Sequence, residues 1–98
     1  MIEMIGKKVI VRGDRSGVFF GTLESVNERT VKLSKVRNIW YWNGAASIMQ
    51  IANEGVKDKE GSKLTVVVES LVLLDVVQII PCTNEAITNI ESVREWKI

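Results

Sequence analysis

The segment VFFGTLESV, residues 18–26, decides the fold. Read with a period of two, it puts Phe19 and Leu23 on one face of a strand and Val18, Phe20, Thr22 and Glu24 on the other. A small single sheet exposes one face to water and keeps it polar. Here a large ring stands on each face, so the second face must be covered by a helix, another subunit or a ligand. Working outward, residues 7–12 alternate in the same way, with Val9 and Val11 opposite Ile10 and Arg12. The cluster Gly13-Asp14-Arg15-Ser16-Gly17 is a turn between these strands. Asn27-Glu28-Arg29 is a second, tight polar turn. It leads into a strand over 30–36 with Val31 and Leu33 inward, and a further strand runs over 38–42.

Beyond residue 42 the period changes. Ala45, Ile48, Met49, Ala52 and Val56 fall on one face of a helix opened by Asn43-Gly44. Asn43 is its expected cap and Gly55 its C-terminal stop. Residues 57–62 form a charged loop. The β-branched run 64–80 is too long for one strand in a chain of this size, so Ser70 or Asp75 marks a turn within it. Thr83 caps a second helix whose buried stripe is Ala86, Ile87, Ile90 and Val93. Strands with inserted helices give an α+β domain: a mainly antiparallel β-sheet of about five or six strands, a mid-chain helix and a short C-terminal helix. Gly21-x-Leu23, Val31-x-Leu33 and Asp75-x-Val77-x-Ile79 loosely resemble the Sm pattern, which makes a small Sm-type β-barrel the alternative.

The 98 residues make one domain spanning 1–98. The chain carries 13 basic and 12 acidic residues, a net charge of +1. That gives no general attraction to nucleic acid or membranes, so nucleic acid is not the expected partner. With no His and one Cys, the chain cannot build a Cys–His dyad, a Ser–His–Asp triad or a zinc site by itself. Neither a metal nor a cofactor is expected. Cys82, with no base near it in sequence, reads as inert. Met1 to Lys8 lacks an apolar leader core, and no apolar run reaches the roughly 18 residues of a membrane span. The expected address is the cytosol, and the expected class is a binding protein rather than an enzyme.

Trp40-Tyr41-Trp42 holds half of the six aromatic residues. Alternation puts Trp40 and Trp42 on one face, a platform on which a base can stack. Arg12, Arg15 and Arg37 are the arginines near it in this layout, and a guanidinium grips phosphate with two parallel donors. Asn43 and Ser47 sit at the helix start, where backbone N–H groups favour anions, and Phe19 joins the candidate set. Arg94 and Trp96 in the tail form a second candidate pair. The surplus apolar residues of 18–26 and 64–80 point to a homo-oligomer.

GKKVIVR at 6–12, GVFFGTLE at 17–24, NIWYWNGAASIMQIANEGVK at 38–57 and IIPCTNEAITNIESVREWKI at 79–98 resemble a family of small phage and prophage proteins. The most specific part is WYWNGAAS. The family pattern has a second basic residue at the position of Asn38 and a Leu at that of Ile39, and the sequence departs from it at both. The family is similar to the phage anti-Thoeris sponge proteins of the first type. That resemblance implies an oligomer that sequesters, without turnover, a cyclic ADP-ribose-type signal made by a TIR-domain enzyme in the host cytosol. Related sponges also take cyclic oligonucleotides. It implies base stacking by Trp40 or Trp42, phosphate contacts from Arg12, Arg15 and Arg37, and ribose or phosphate contacts from Asn43 and Ser47. An Sm-like RNA-binding module and a phage structural or assembly protein are the rival readings.

Overall fold

The alternation of the first strands is reproduced as two apolar layers. The computed structural model describes residues 2–98; residue 1, where the segment read for a leader begins, lies outside them. The strands are β1 (Lys8–Gly13), β2 (Val18–Asn27), β3 (Thr30–Tyr41), β4 (Lys63–Leu64), β5 (Val68–Leu73) and β6 (Val76–Pro81). The helices are α1 (Ile48–Glu54) and α2 (Asn84–Ser92). All strand pairs are antiparallel, in the order β4-β3-β2-β1-β6, with β5 also on β3. This is a small α+β fold with one six-stranded sheet and two helices.

Val9, Val11, Phe19, Leu23, Val31, Leu33, Leu73 and Val76 form one core cluster. Both terminal strands, β5 and β6, contribute to it, so the sheet curls around this layer. At Gly21 the strands β2 and β3 approach closely: a Cβ there would lie 3.0 Å from the Ser34 carbonyl oxygen. Ile10, Phe20, Ile39 and Leu64, on the opposite face, pack with Ile51, Ala52, Ala86 and Ile90 of the two helices. The ring of Phe20 is therefore covered within the chain, by helices. The two-faced pattern of residues 18–26 needs no second subunit to explain it.

Several sequence expectations are corrected. The strands expected at 30–36 and 38–42 are one twelve-residue strand, β3. Its first half pairs with β5 and its last residues with β4. The chain turns at Leu74-Asp75 and not at Ser70, which pairs with Ser34 inside β5. Asp75 accepts from the backbone N–H of Arg15 at 2.8 Å and of Ser16 at 3.1 Å, and from Ser16 Oγ at 2.7 Å. These bonds lock the β5–β6 turn to the β1–β2 turn.

Asn43 does not cap α1. Gly44 takes a φ of +82°, which cannot continue a helix, and the helix starts only after Ser47, whose side chain accepts from the Gln50 N–H. Met49 is 51% exposed, because the stripe that α1 buries is Ile51 and Ala52 with Ile48 beside them, and Met49 lies off it. At the other end, Gly55 has a φ of +81° and donates to the Ile51 carbonyl. A Cβ on Gly55 would fall 2.2 Å from Asn89 Oδ1. Thr83 caps α2 as the sequence indicates, accepting from Ala86 N–H.

Candidate functional site

The segment 38–42 is built differently from a regular strand. Ile39 pairs with Leu64 and Tyr41 with Lys63, so Trp40 is the extra residue of a bulge. The bulge breaks the alternation. Ile39 and Trp42 both pack on the helix-side core, while Trp40 is 64% exposed and Tyr41 also faces water. The two tryptophans do not share a face, which corrects the expected platform.

Trp40 finds a different partner. The tail after α2 runs beside β4, with a bridge between Leu64 and Glu95 and a bond from Trp96 N–H to the Leu64 carbonyl at 2.8 Å. This brings Trp96 onto Trp40, with ring centroids 6.1 Å apart and planes inclined by 22°. Lys63 Nζ lies 5.4 Å from the centroid of the Trp96 ring, in cation–π range. Trp96 is 44% exposed, so both rings retain free surface. Trp96 also ends a groove of about 1040 Å³ between the 57–63 loop and residues 92–96, lined by Lys57, Lys59, Lys63 and Arg94 with Asp58, Glu60 and Glu95. Asp58 is already engaged: its carboxylate accepts from Gly61 N–H at 2.9 Å and from Asn43 Nδ2 at 3.3 Å.

The other expected site residues are dispersed. Phe19 is buried in the inner core and cannot reach a ligand. Arg12 reaches Gln78 on β6, at 3.5 Å, and Arg15 lies in the turn locked by Asp75. Asn43 N–H donates to Ser62 Oγ at 3.0 Å, and Ser47 is occupied as the α1 cap. Neither side chain is left free for a ligand: Ser47 Oγ accepts the Gln50 N–H, and the Ala46 N–H, just before this seven-residue helix, bonds Gln50 Oε1 at 2.8 Å.

Arg37 is 3% exposed. Its Nε donates to the Thr65 carbonyl at 2.9 Å, Nη1 to Ile90 at 2.8 Å and Nη2 to Leu64 at 3.3 Å. It ties β3 to β4 and to the end of α2, and it is not grouped with Trp40 as expected. Burial lowers its pKa and the charge of Glu95 opposes that shift. Of the sequence candidates, the structure brings together Trp40, Trp96 and Arg94. The lysines of the 57–63 loop were missed, because a charged loop carries no spacing that distinguishes a ligand face from a solvated one.

Burial raises the pKa of the Cys82 thiol to about 12, which keeps it protonated and unreactive. Among the described residues there is no cluster of three metal-ligating side chains, and no helix is long and apolar enough to cross a membrane.

The architecture is shared with a protein of known structure. A heptameric archaeal Sm protein aligns with a TM-score of 0.55 and 19% identity, over 84% of this chain and 94% of that one. At that identity the likeness concerns the fold alone. No curated protein matches the chain. Residues 6–90 match DUF6948, a domain of unknown function, and the chain belongs to that family.

Proposed function

We propose that this protein captures a nucleotide-derived signal on the Trp40–Trp96 face and holds it without turnover. The observation that carries the reading is the exposed, stacked tryptophan pair at the end of a groove lined with lysines and an arginine. An indole face left open to water is a stacking surface for a base. Lys63 and Arg94 line the same groove, and their cations suit the phosphates of such a ligand. The resemblance to phage anti-Thoeris sponges supplies the biological setting: a cyclic ADP-ribose-type signal, removed from the host cytosol by binding.

Assembly belongs to the same reading. β5 pairs only with β3, and β6 only with β1, so each terminal strand has a second edge without a strand partner among the described residues. Val66, Val67, Val68, Val72, Leu74 and Val77 are exposed along these two strands and the segments beside them. Open edges carrying apolar side chains take up further strands, and a second copy offers the complementary edge.

The fold likeness to an Sm protein favours a second reading, single-stranded RNA on the same tryptophans. Native mass spectrometry separates the two. Protein purified from cells expressing a TIR-domain enzyme should retain a small molecule of nucleotide mass that heat releases intact. Co-purified RNA would replace the signal reading with the Sm-like one, and release of a hydrolysed product would replace capture with catalysis. Protein that carries no ligand and binds no added cyclic ADP-ribose overturns the proposal.

A further inference from the structure

Asn43 and Gly44 fasten the chain between β3 and α1 to the 57–62 loop. Asn43 N–H donates to Ser62 Oγ at 3.0 Å, its carbonyl accepts from the Asp58 N–H at 3.4 Å, and its Nδ2 donates to Asp58 Oδ2 at 3.3 Å. The Gly44 carbonyl accepts from the Lys57 N–H at 3.3 Å. Glycine is required at position 44 for two reasons. Its φ is +82°, and a Cβ there would fall 2.6 Å from the Asp58 nitrogen. The clasp thus sets an amide side chain directly before a glycine.

That pair is chemically labile. The backbone nitrogen that follows an asparagine can attack the side-chain carbonyl carbon, and glycine, having no Cβ, shields this nitrogen least. Among the described residues the Gly44 N–H donates to no acceptor, so no hydrogen bond has to break before it reacts. Asn43 is exposed and lies outside every strand and helix. No other asparagine combines these features: Asn27, Asn53 and Asn84 precede Glu, and Asn38 and Asn89 precede Ile.

We propose that Asn43 is a site of spontaneous deamidation, and that the reaction unfastens the 57–62 wall of the groove. The Gly44 nitrogen gives its proton to solvent and bonds to Asn43 Cγ. The Cγ–Nδ2 bond breaks, and the amide leaves as ammonia. Water then opens the five-membered imide. Opening at Cγ gives an aspartyl residue, and opening at the main-chain carbonyl gives an isoaspartyl residue whose backbone is longer by a methylene. Either product has lost the Nδ2 donor and gained a negative charge beside Asp58, and carboxylates this close repel each other. The change concerns the loop's own bonds and does not depend on the nucleotide reading.

Peptide mass spectrometry after incubation in warm, mildly alkaline buffer tests the chemistry. Asn43 should gain one mass unit before any other asparagine, in two chromatographically separable forms. Asn43→Gln should block the gain, because the longer side chain closes a larger ring far more slowly. Asn43→Asp supplies one product directly. It should melt lower than wild type and exchange the amides of residues 57–62 roughly fivefold faster, the factor that one net hydrogen bond supplies. Adding Asp58→Asn restores an amide–carboxylate bond of reversed polarity and should return both readings toward wild type. An Asn43 amide that persists through the incubation, or is lost no sooner than those of Asn27 and Asn53, overturns the proposal. So does an Asn43→Asp variant whose melting and loop exchange match wild type.

Discussion

Arg37 Nη1 donates to the carbonyl oxygen of Ile90 at 2.8 Å, joining the middle of β3 to the last turn of α2. The same guanidinium holds Leu64 and Thr65 of the β4 segment. One side chain thus fixes three elements that the chain order separates, and among them is β4, beside which the tail carries Trp96 to Trp40.

Arg37→Met fills similar volume but removes three charged hydrogen bonds. The Leu64 carbonyl keeps its bond from Trp96 N–H and the Ile90 carbonyl its bond from Val93 N–H, while the Thr65 carbonyl loses its donor. An unsatisfied buried acceptor costs about 1–3 kcal/mol, and a loss of that order is expected, read as a lower denaturation midpoint at unchanged slope. Arg37→Lys should recover only part, because an ammonium cannot reach three directions from one plane. A variant as stable as wild type would show that Arg37 does not hold these elements.

Trp40 and Trp42 should separate cleanly. Trp42→Ala removes a ring packed on the helix-side core, and a loss of about 2–4 kcal/mol is expected, less than for a fully buried Trp. Trp40→Ala removes an exposed ring and should change the melting temperature little. Its affinity for cyclic ADP-ribose should fall by about 1–3 kcal/mol. Calorimetric titration beside thermal melts reads both effects, and tight binding by a folded Trp40→Ala variant would remove Trp40 from the site.

Val72 on β5 and Val77 on β6 are 51% and 47% exposed. Light scattering should report more than one 11.0 kDa subunit for the wild type. Val72→Lys or Val77→Lys places a charge on the strands we assign to assembly, and either should shift the mass toward a single subunit. A monomeric wild type rules out assembly through these edges.

The Asp75 carboxylate is held below its ordinary value, first by the Arg15 N–H and then by the Ser16 hydroxyl. Its folded pKa is depressed, so its contribution is present above the unfolded value near 3.8 and is lost as pH falls through the lower folded value. The share of the stability that Asp75 carries should therefore decline below about pH 4. Asp75→Asn should melt lower at neutral pH and show a shallower acid decline. Parallel pH slopes for the two proteins would mean that Asp75 does not carry this dependence.

The sequence by itself determined what depends on neighbouring residues. Side chains alternate along any strand, so Val9 and Val11 separated from Ile10, and Phe19 from Phe20, without knowledge of the partners. The Thr83 cap and the α2 stripe were legible for the same reason, since both lie within a turn or two of backbone. Tertiary structure decided the rest. Whether Trp40 or Trp42 faces water depends on a bulge whose existence depends on pairing with β4. Whether Arg37 meets a ligand or a carbonyl depends on α2 arriving beside β3. Trp40 meets Trp96 only because the tail docks on β4. Registers and contacts between distant segments are set by the summed packing of the whole sheet, and no local pattern encodes that sum.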